Sequence, residues 1–299
     1  MFAACALWLD LGAVGRTLQR VSLLWLALIL AVMTLDRLLM AWKWAVLLWA
    51  VGLKVPFSAL VRFFYQGTFA GTFLPTSLGG DALRAYLVVR ATGATYPVVA
   101  SLAIEKAMGL LSAVSWALAG MAYFLHRSPA FPAVWAWGLL AVAAGGHGAF
   151  WLSLHPRCRA AVHRWLSASR SRLAQGTGRF LEAYVQYGKH RRALAWNGML
   201  TVVEHGLQLC IVLAMAYGLG IVADPLLFLS VATVHTLLYR LPIAPDGWGV
   251  GEASAIGLYG LIGILPEQAF SLAFLSHVMQ LLVALPGIWF MGRDIYSVR

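Results

Sequence analysis

The sequence predicts an all-α, polytopic membrane helical bundle with two broken or re-entrant segments, on three observations. Of 299 residues, 61% are hydrophobic and 11% charged, with a mean hydropathy of +0.79. A soluble domain carries about 25% charged residues. Apolar runs of the length a bilayer core demands, about 20 residues, recur along the chain. A glycine-rich polar segment, Leu74-Pro75-Thr76-Ser77-Leu78-Gly79-Gly80-Asp81-Ala82-Leu83-Arg84, has a later counterpart in Leu241-Pro242-Ile243-Ala244-Pro245-Asp246-Gly247-Trp248-Gly249-Val250-Gly251-Glu252. Each runs Leu-Pro, then glycines, then a carboxylate, a pattern consistent with an internal repeat. Proline and glycine break helices, and a bilayer tolerates the freed backbone groups only where protein or a wet cavity surrounds them. Paired breaks of this kind point to a transporter-like binding site.

Residues 1–9 are apolar but too short to span, and Asp10 ends them. They read as the remnant of a truncated first helix or as an interfacial stub. Residues 21–52 read as one long helix whose charged part, Asp36-Arg37 and Lys43, faces protein or an interface, with Lys54-Val55-Pro56 ending it. Residues 63–74 are interrupted by Gln66, Gly67, Thr68, Gly71 and Thr72, which makes a poor full span and a good half-helix running into Pro75. Residues 81–90 return as a helix with its N-terminus at Gly79-Gly80-Asp81. Free amides at such an end attract anions such as phosphate. Spans follow at 98–125 and 131–154.

Residues 155–192 are dense in arginine and lysine, with Glu182 the only acid. This basic loop is expected to be cytoplasmic, with an amphipathic part on the membrane surface. Residues 193–217 span back, 225–239 return, 253–264 are short, and 269–291 form the last span. Arg293 and Arg299 put the C-terminus on the side of the basic loop. With Lys54, Arg62, Arg84 and Arg90 on that side as well, residues 63–83 must enter and leave together, as a re-entrant hairpin does. One transmembrane domain fills 1–299, in a cytoplasmic membrane.

The net charge of +11, from 22 Lys+Arg against 11 Asp+Glu, sits in loops and near helix ends. That suits the positive-inside rule and anionic headgroups. No basic groove with interleaved aromatics argues for nucleic acid. Cys5, Cys158 and Cys210 show no CxxC or zinc spacing and read as unpaired thiols. The 13 tryptophans fit interfacial belts and need no cofactor.

Ionisable groups inside a membrane are costly and therefore site candidates: Asp81, Arg84, Glu105, Lys106, Glu204, Asp246 and Glu252. Asp81 and Arg84, three apart on a helix, share a face. Either Arg84 contacts a lipid phosphate positioned by Asp81, or the two are an N-cap and an interfacial arginine. Adjacent Glu105 and Lys106 point about 100° apart, so each needs its own partner, and Arg84 is the preferred one for Glu105. Glu204-His205 reads as a hydrogen-bonded polar pair, with a proton relay as the alternative. Gly247, Gly249 and Gly251 lack the Lys-Ser/Thr of a phosphate loop. They read as close backbone packing or approach to a headgroup, and Glu252 as a carboxylate at a helix start, where capping alone accounts for it. No Ser-His-Asp arrangement, metal cluster or donor-binding motif argues for catalysis, so no catalytic residue, cofactor or metal is assigned and the balance leans away from an enzyme.

Taken in order, Trp42-Lys43-Trp44 with Leu47-Leu48, Leu74-Pro75…Gly79-Gly80-Asp81…Arg84, Glu105-Lys106 and Pro242…Gly247-Trp248-Gly249-Val250…Glu252 resemble the lysylphosphatidylglycerol synthase transmembrane-domain family of flippase-like membrane proteins. The resemblance covers about residues 10–295. It implies a multi-span protein that moves lipids between leaflets; one branch flips a cationic lipid made by a fused synthase domain, and others are linked to hopanoid or polyprenyl-linked glycolipids. Asp81, Arg84, Glu105 and Glu252 occupy its polar signature positions. Lys106 stands where the family pattern has arginine, keeping charge but losing the bidentate fork. No synthase domain follows Arg299, so aminoacyl transfer is not expected of this chain alone.

The expected function is a lipid flippase or transporter for a phospholipid or polyprenyl-linked lipid. Gly79, Gly80, Asp81, Arg84, Glu105, Lys106, Gly247, Gly249 and Glu252 are its expected substrate-binding residues. The alternative is the membrane subunit of a lipid-modifying transferase partnered by a separate synthase or glycosyltransferase. A homo-oligomer is left open.

Overall fold

A computed structural model of the chain describes residues 9–73, 78–155, 157, 160, 172–239 and 249–296. Among them the protein is helical throughout, without strands: α1 (Leu11–Leu18), α2 (Leu23–Ala50), α3 (Phe57–Phe73), α4 (Leu78–Thr92), α5 (Thr95–Arg127), α6 (Val134–Ser153), α7 (Arg172–Gln186), a 3-10 turn (Tyr187–Lys189), α8 (Arg191–Gly218), α9 (Pro225–Tyr239), α10 (Val250–Gly260), α11 (Pro266–Ala284) and α12 (Pro286–Tyr296). Helices α2, α5, α8 and the α11–α12 run are each long and apolar enough to cross a membrane. The all-α membrane bundle expected from composition is therefore the fold observed.

Most sequence boundaries move by a few residues, and three differences have physical causes. Asp10 does not simply end an apolar stub. It caps α1, accepting from the Gly12 N–H at 2.8 Å, as short polar side chains do at helix starts. Helix α4 begins at Leu78, so Gly79 and Gly80 lie inside its first turn rather than before it. The last span divides at Leu285, because Pro286 lacks the N–H that would continue α11. The second glycine-rich break, including Asp246 and Gly247, lies outside the described residues, which resume at Gly249.

Helices α3 and α4 form a tightly closed hairpin. A Cβ on Gly67 would lie 2.6 Å from the Gly80 carbonyl oxygen, and one on Gly80 would collide with the Gly67 carbonyl. Only residues without a side chain permit backbones to approach so closely. The hairpin packs on α2 and α12, and α4 meets α5. Helix α2 runs along α8, which donates from Asn197 Nδ2 to the Lys43 carbonyl at 2.8 Å.

Three apolar clusters hold the bundle. The largest joins α2, α8, α9, α10 and α11 around Ile29, Met215, Phe228 and Tyr259. A second joins α2, α5, α6 and α8 around Leu47, Ile104 and Leu194. The third joins α2 to the hairpin and α5 through Trp44, Leu60, Val88 and Val98. The basic region's helix α7 turns Phe180, Ala183 and Tyr184 onto the second cluster. Helix α6 buries little beyond Ala143 and Phe150.

Candidate functional site: a charged cavity behind the broken hairpin

A cavity of about 240 Å³ opens between α2, α3, α4, α5 and α8, with Tyr239 of α9 and Gln280 of α11 also on its wall. Its wall carries Arg37, Lys43, Asp81, Arg84, Glu105, Lys106 and Glu204. On the hairpin side Gly67, Gly71 and Gly80 line it. Glu105 lies ten residues into α5 from Thr95, about 15 Å along the axis at 1.5 Å per residue. Glu204 lies thirteen residues into α8 from Arg191, about 20 Å along. Glu105 and Glu204 are thus well inside spanning helices, where a charge is costly unless paired.

Arg84 is the centre of the arrangement. It is 4% exposed, and its guanidinium stacks between Trp44 (4.6 Å) and Phe64 (5.2 Å). Its Nη2 and Nη1 donate to Glu105 Oε2 at 2.9 Å and Oε1 at 3.4 Å, a fork only arginine can make. Nε donates to Asp81 Oδ1 at 2.9 Å. Trp44 is held in turn by its Nε1–H donating to Ser101 Oγ at 2.9 Å.

The remaining Asp81 oxygen, Oδ2, meets Lys106 Nζ at 2.5 Å. Adjacent Glu105 and Lys106 therefore do take separate partners, Arg84 and Asp81, as their divergence on a helix requires. The Lys106 side chain is 55% exposed and Asp81 17%, against 4% and 5% for the Arg84–Glu105 pair. Lys106–Asp81 is the accessible bridge and Arg84–Glu105 the buried one.

Two further pairs complete the wall. Lys43 bonds to Glu204, both buried, and Gln208 Nε2 donates to Glu204 Oε1 at 3.0 Å. Arg37 Nη2 lies 3.0 Å from buried Asp36. Lys43, Asp36 and Arg37 were not among the site candidates, because residues 36–43 read equally as an interfacial stretch. The signal that could have found them is the general one: a charge in the middle of a spanning run is a candidate by default. His205 Nδ1 contacts the Thr201 carbonyl at 2.8 Å within α8, a different partner from the Lys43 and Gln208 that meet Glu204.

Gly249 and Glu252 are not on the cavity wall. Gly249 has φ +82°, the left-handed region, and donates its N–H to Glu252 Oε2 at 2.7 Å, starting α10. The capping role anticipated for Glu252 is thus present. Among the described residues, no three His, Cys, Asp or Glu side chains stand together as metal ligands.

Against known proteins, residues 1–287 match the family described as the lysylphosphatidylglycerol synthase TM region. The chain belongs to this family. It is therefore an integral membrane protein of a lipid-related family. A UPF0104 membrane protein from Methanothermobacter thermautotrophicus is 21% identical over 316 residues, spanning 96% of this chain and 89% of that protein. No solved structure matches.

Proposed function

We propose that the chain moves a phosphate-bearing lipid between leaflets of the cell membrane, passing the headgroup through the cavity while the tails stay in lipid. One observation carries the reading. The most accessible ion pair on the cavity wall, Lys106–Asp81, is braced from behind by a buried Arg84–Glu105 fork. A headgroup phosphate takes Lys106 Nζ from Asp81, and the freed carboxylate accepts an ammonium group where the headgroup has one. The exchange substitutes charge-assisted bonds for those broken, so neither partner is left as an unpaired charge, which would be costly. Arg84 positions Asp81, since its donors are already engaged by two carboxylates. Gly80, which lines the cavity, adds backbone contacts, while Gly79 is not on the wall. Gly247, Gly249 and Glu252 belong to the second break and bear on the path rather than on this cavity.

In this reading the basic 155–192 region and the C-terminus face the cytoplasm, and a separate synthase or glycosyltransferase supplies the lipid. The test is translocation in proteoliposomes carrying labelled phosphatidylglycerol, its lysyl derivative or a polyprenyl phosphate. Asp81→Asn/Lys106→Met serves as the control. Movement in the wild type that the control loses supports the reading and gives the headgroup class. Folded wild type that moves none of the three overturns it in favour of a membrane subunit of a lipid-modifying transferase.

A further inference from the structure

One buried carboxylate lies away from the cavity's ion pairs and has a different kind of partner. Glu252 is fully buried, and its Oε1 lies 3.2 Å from His277 Nδ1, itself buried. Nδ1 sits between two acceptors, since the Ala273 carbonyl is 3.1 Å away. On the other edge of the ring, His277 Nε2 is 3.2 Å from the Tyr239 hydroxyl, and Tyr239 lines the cavity. The side chains come from α10, α11 and α9. They set three titratable side chains in sequence from the cavity wall to an interior carboxylate, each within 3.2 Å of the next, with the His277 Nδ1 hydrogen bond going to the Ala273 carbonyl. Capping uses only Oε2 of Glu252, which leaves Oε1 facing the imidazole.

We propose that Tyr239, His277 and Glu252 form a proton relay, with Glu252 the buried proton-binding site. A proton arriving from the cavity joins the Tyr239 oxygen as the phenol's own proton passes to His277 Nε2. The imidazole releases its Nδ1 proton to Glu252 Oε1. One proton has then moved, the phenol and imidazole are neutral again, the imidazole has changed tautomer, and the carboxylate has become a carboxylic acid. Histidine is the side chain suited to this work near neutral pH.

Among the described residues, His235 and Tyr239 of α9 and His277 of α11 face Glu252. His235 Nε2 is 3.1 Å from the Gly251 carbonyl, and its ring lies 5.5 Å from that of Tyr259 of α10. Arg37 and Lys43 of α2, Asp81 and Arg84 of α4, Glu105 and Lys106 of α5 and Glu204 of α8 line the cavity that Tyr239 borders. A proton delivered there enters the space where the headgroup's charges exchange. The relay stands on its own geometry, and its coupling to transport rests on the lipid movement proposed above.

Wild type, Glu252→Gln and Tyr239→Phe separate the two. The glutamine amide oxygen can still accept from the Gly249 N–H, so the cap survives, and phenylalanine keeps the packing of the Tyr239 ring. In infrared difference spectra, acidified wild type should gain a protonated-carboxyl band that Glu252→Gln lacks. A wild type with no such Glu252-dependent band overturns the proton site, whatever the lipid does. In proteoliposomes, one proton moved per lipid under a one-unit pH difference shifts the steady-state leaflet ratio about tenfold. Both variants should lose that shift. Wild-type movement indifferent to the gradient overturns the coupling while leaving lipid movement intact. A titrating band without any lipid movement supports the relay and removes the lipid as its cargo.

Discussion

Replacing Arg84 with alanine tests whether the buried fork is what holds the site together. The substitution leaves Glu105, 4% exposed, facing an empty position, whereas Asp81 keeps Lys106. Removing one partner of a buried ion pair costs about 3–5 kcal/mol. Loss of the stacking on Trp44 and Phe64 adds about 0.5–2 kcal/mol. At roughly 2 °C per kcal/mol for a chain of this size, the Tm in detergent should fall by about 7–14 °C. Glu105→Gln should cost less, about 1–2 kcal/mol, because Arg84 retains Asp81. Arg84→Met/Glu105→Met should recover much of the loss, since an apolar pair leaves no buried charge. Thermal unfolding of the four proteins in one detergent decides it. An Arg84→Ala protein that melts within a degree or so of wild type, or a double variant no better than the single, would refute a structural fork at Arg84.

Other outcomes follow from the same geometry. Lys106→Met should change stability by no more than about 1 kcal/mol, as half-exposed pairs do, yet abolish translocation in the proteoliposome assay; unchanged movement would remove Lys106 from the headgroup path. Gly80→Ala should push α3 from α4 and destabilise by about 1–3 kcal/mol, read by the melting temperature, while Gly138→Ala, where an added Cβ meets nothing within 4 Å, should be silent. Lys43→Met should destabilise more than Lys106→Met, because it strands the fully buried Glu204; equal melting temperatures would contradict the burial difference. At the N-terminus, the Ala13 and Gly12 backbone N–H groups hold the Asp10 carboxyl below the usual aspartate range. Its cap is therefore present above that range and lost as pH falls through the lowered value, so α1 should fray in acid. The Gly12 amide shift should report this, and Asp10→Asn should remove the pH dependence.

Much of this architecture was legible because single residues dictate it. Pro75 and the glycines before and after it forecast the hairpin, and Pro225 the start of α9. The 100° between Glu105 and Lys106 required two partners, and the face shared by Asp81 and Arg84 brought one of each together. Pairings across long separations were not legible. Lys43 and Glu204 are 161 residues apart, and periodicity says which way each points on its own helix but not which helix stands opposite. His277 and Glu252 lie on separate elements for the same reason. In the sequence His277 is a lone histidine within an apolar span, and only the packing of α10 against α11 brings Glu252 to it. The packing of Phe180, Ala183 and Tyr184 of α7 on the second cluster was not legible either, because an amphipathic helix shows a sticky face without saying what covers it.

The backbone contact between Gly67 and Gly80 constrains how the protein can work. Elements separated by side chains can shift by exchanging rotamers at the interface. Arms that touch main chain to main chain have no such slack, so the hairpin translates or tilts as one stiff wedge. Any alternation of the cavity between two openings must then come from α2, α5 and α8 rocking around that wedge, with the Lys43–Glu204 and Arg84–Glu105 pairs as the fasteners that set how far they swing.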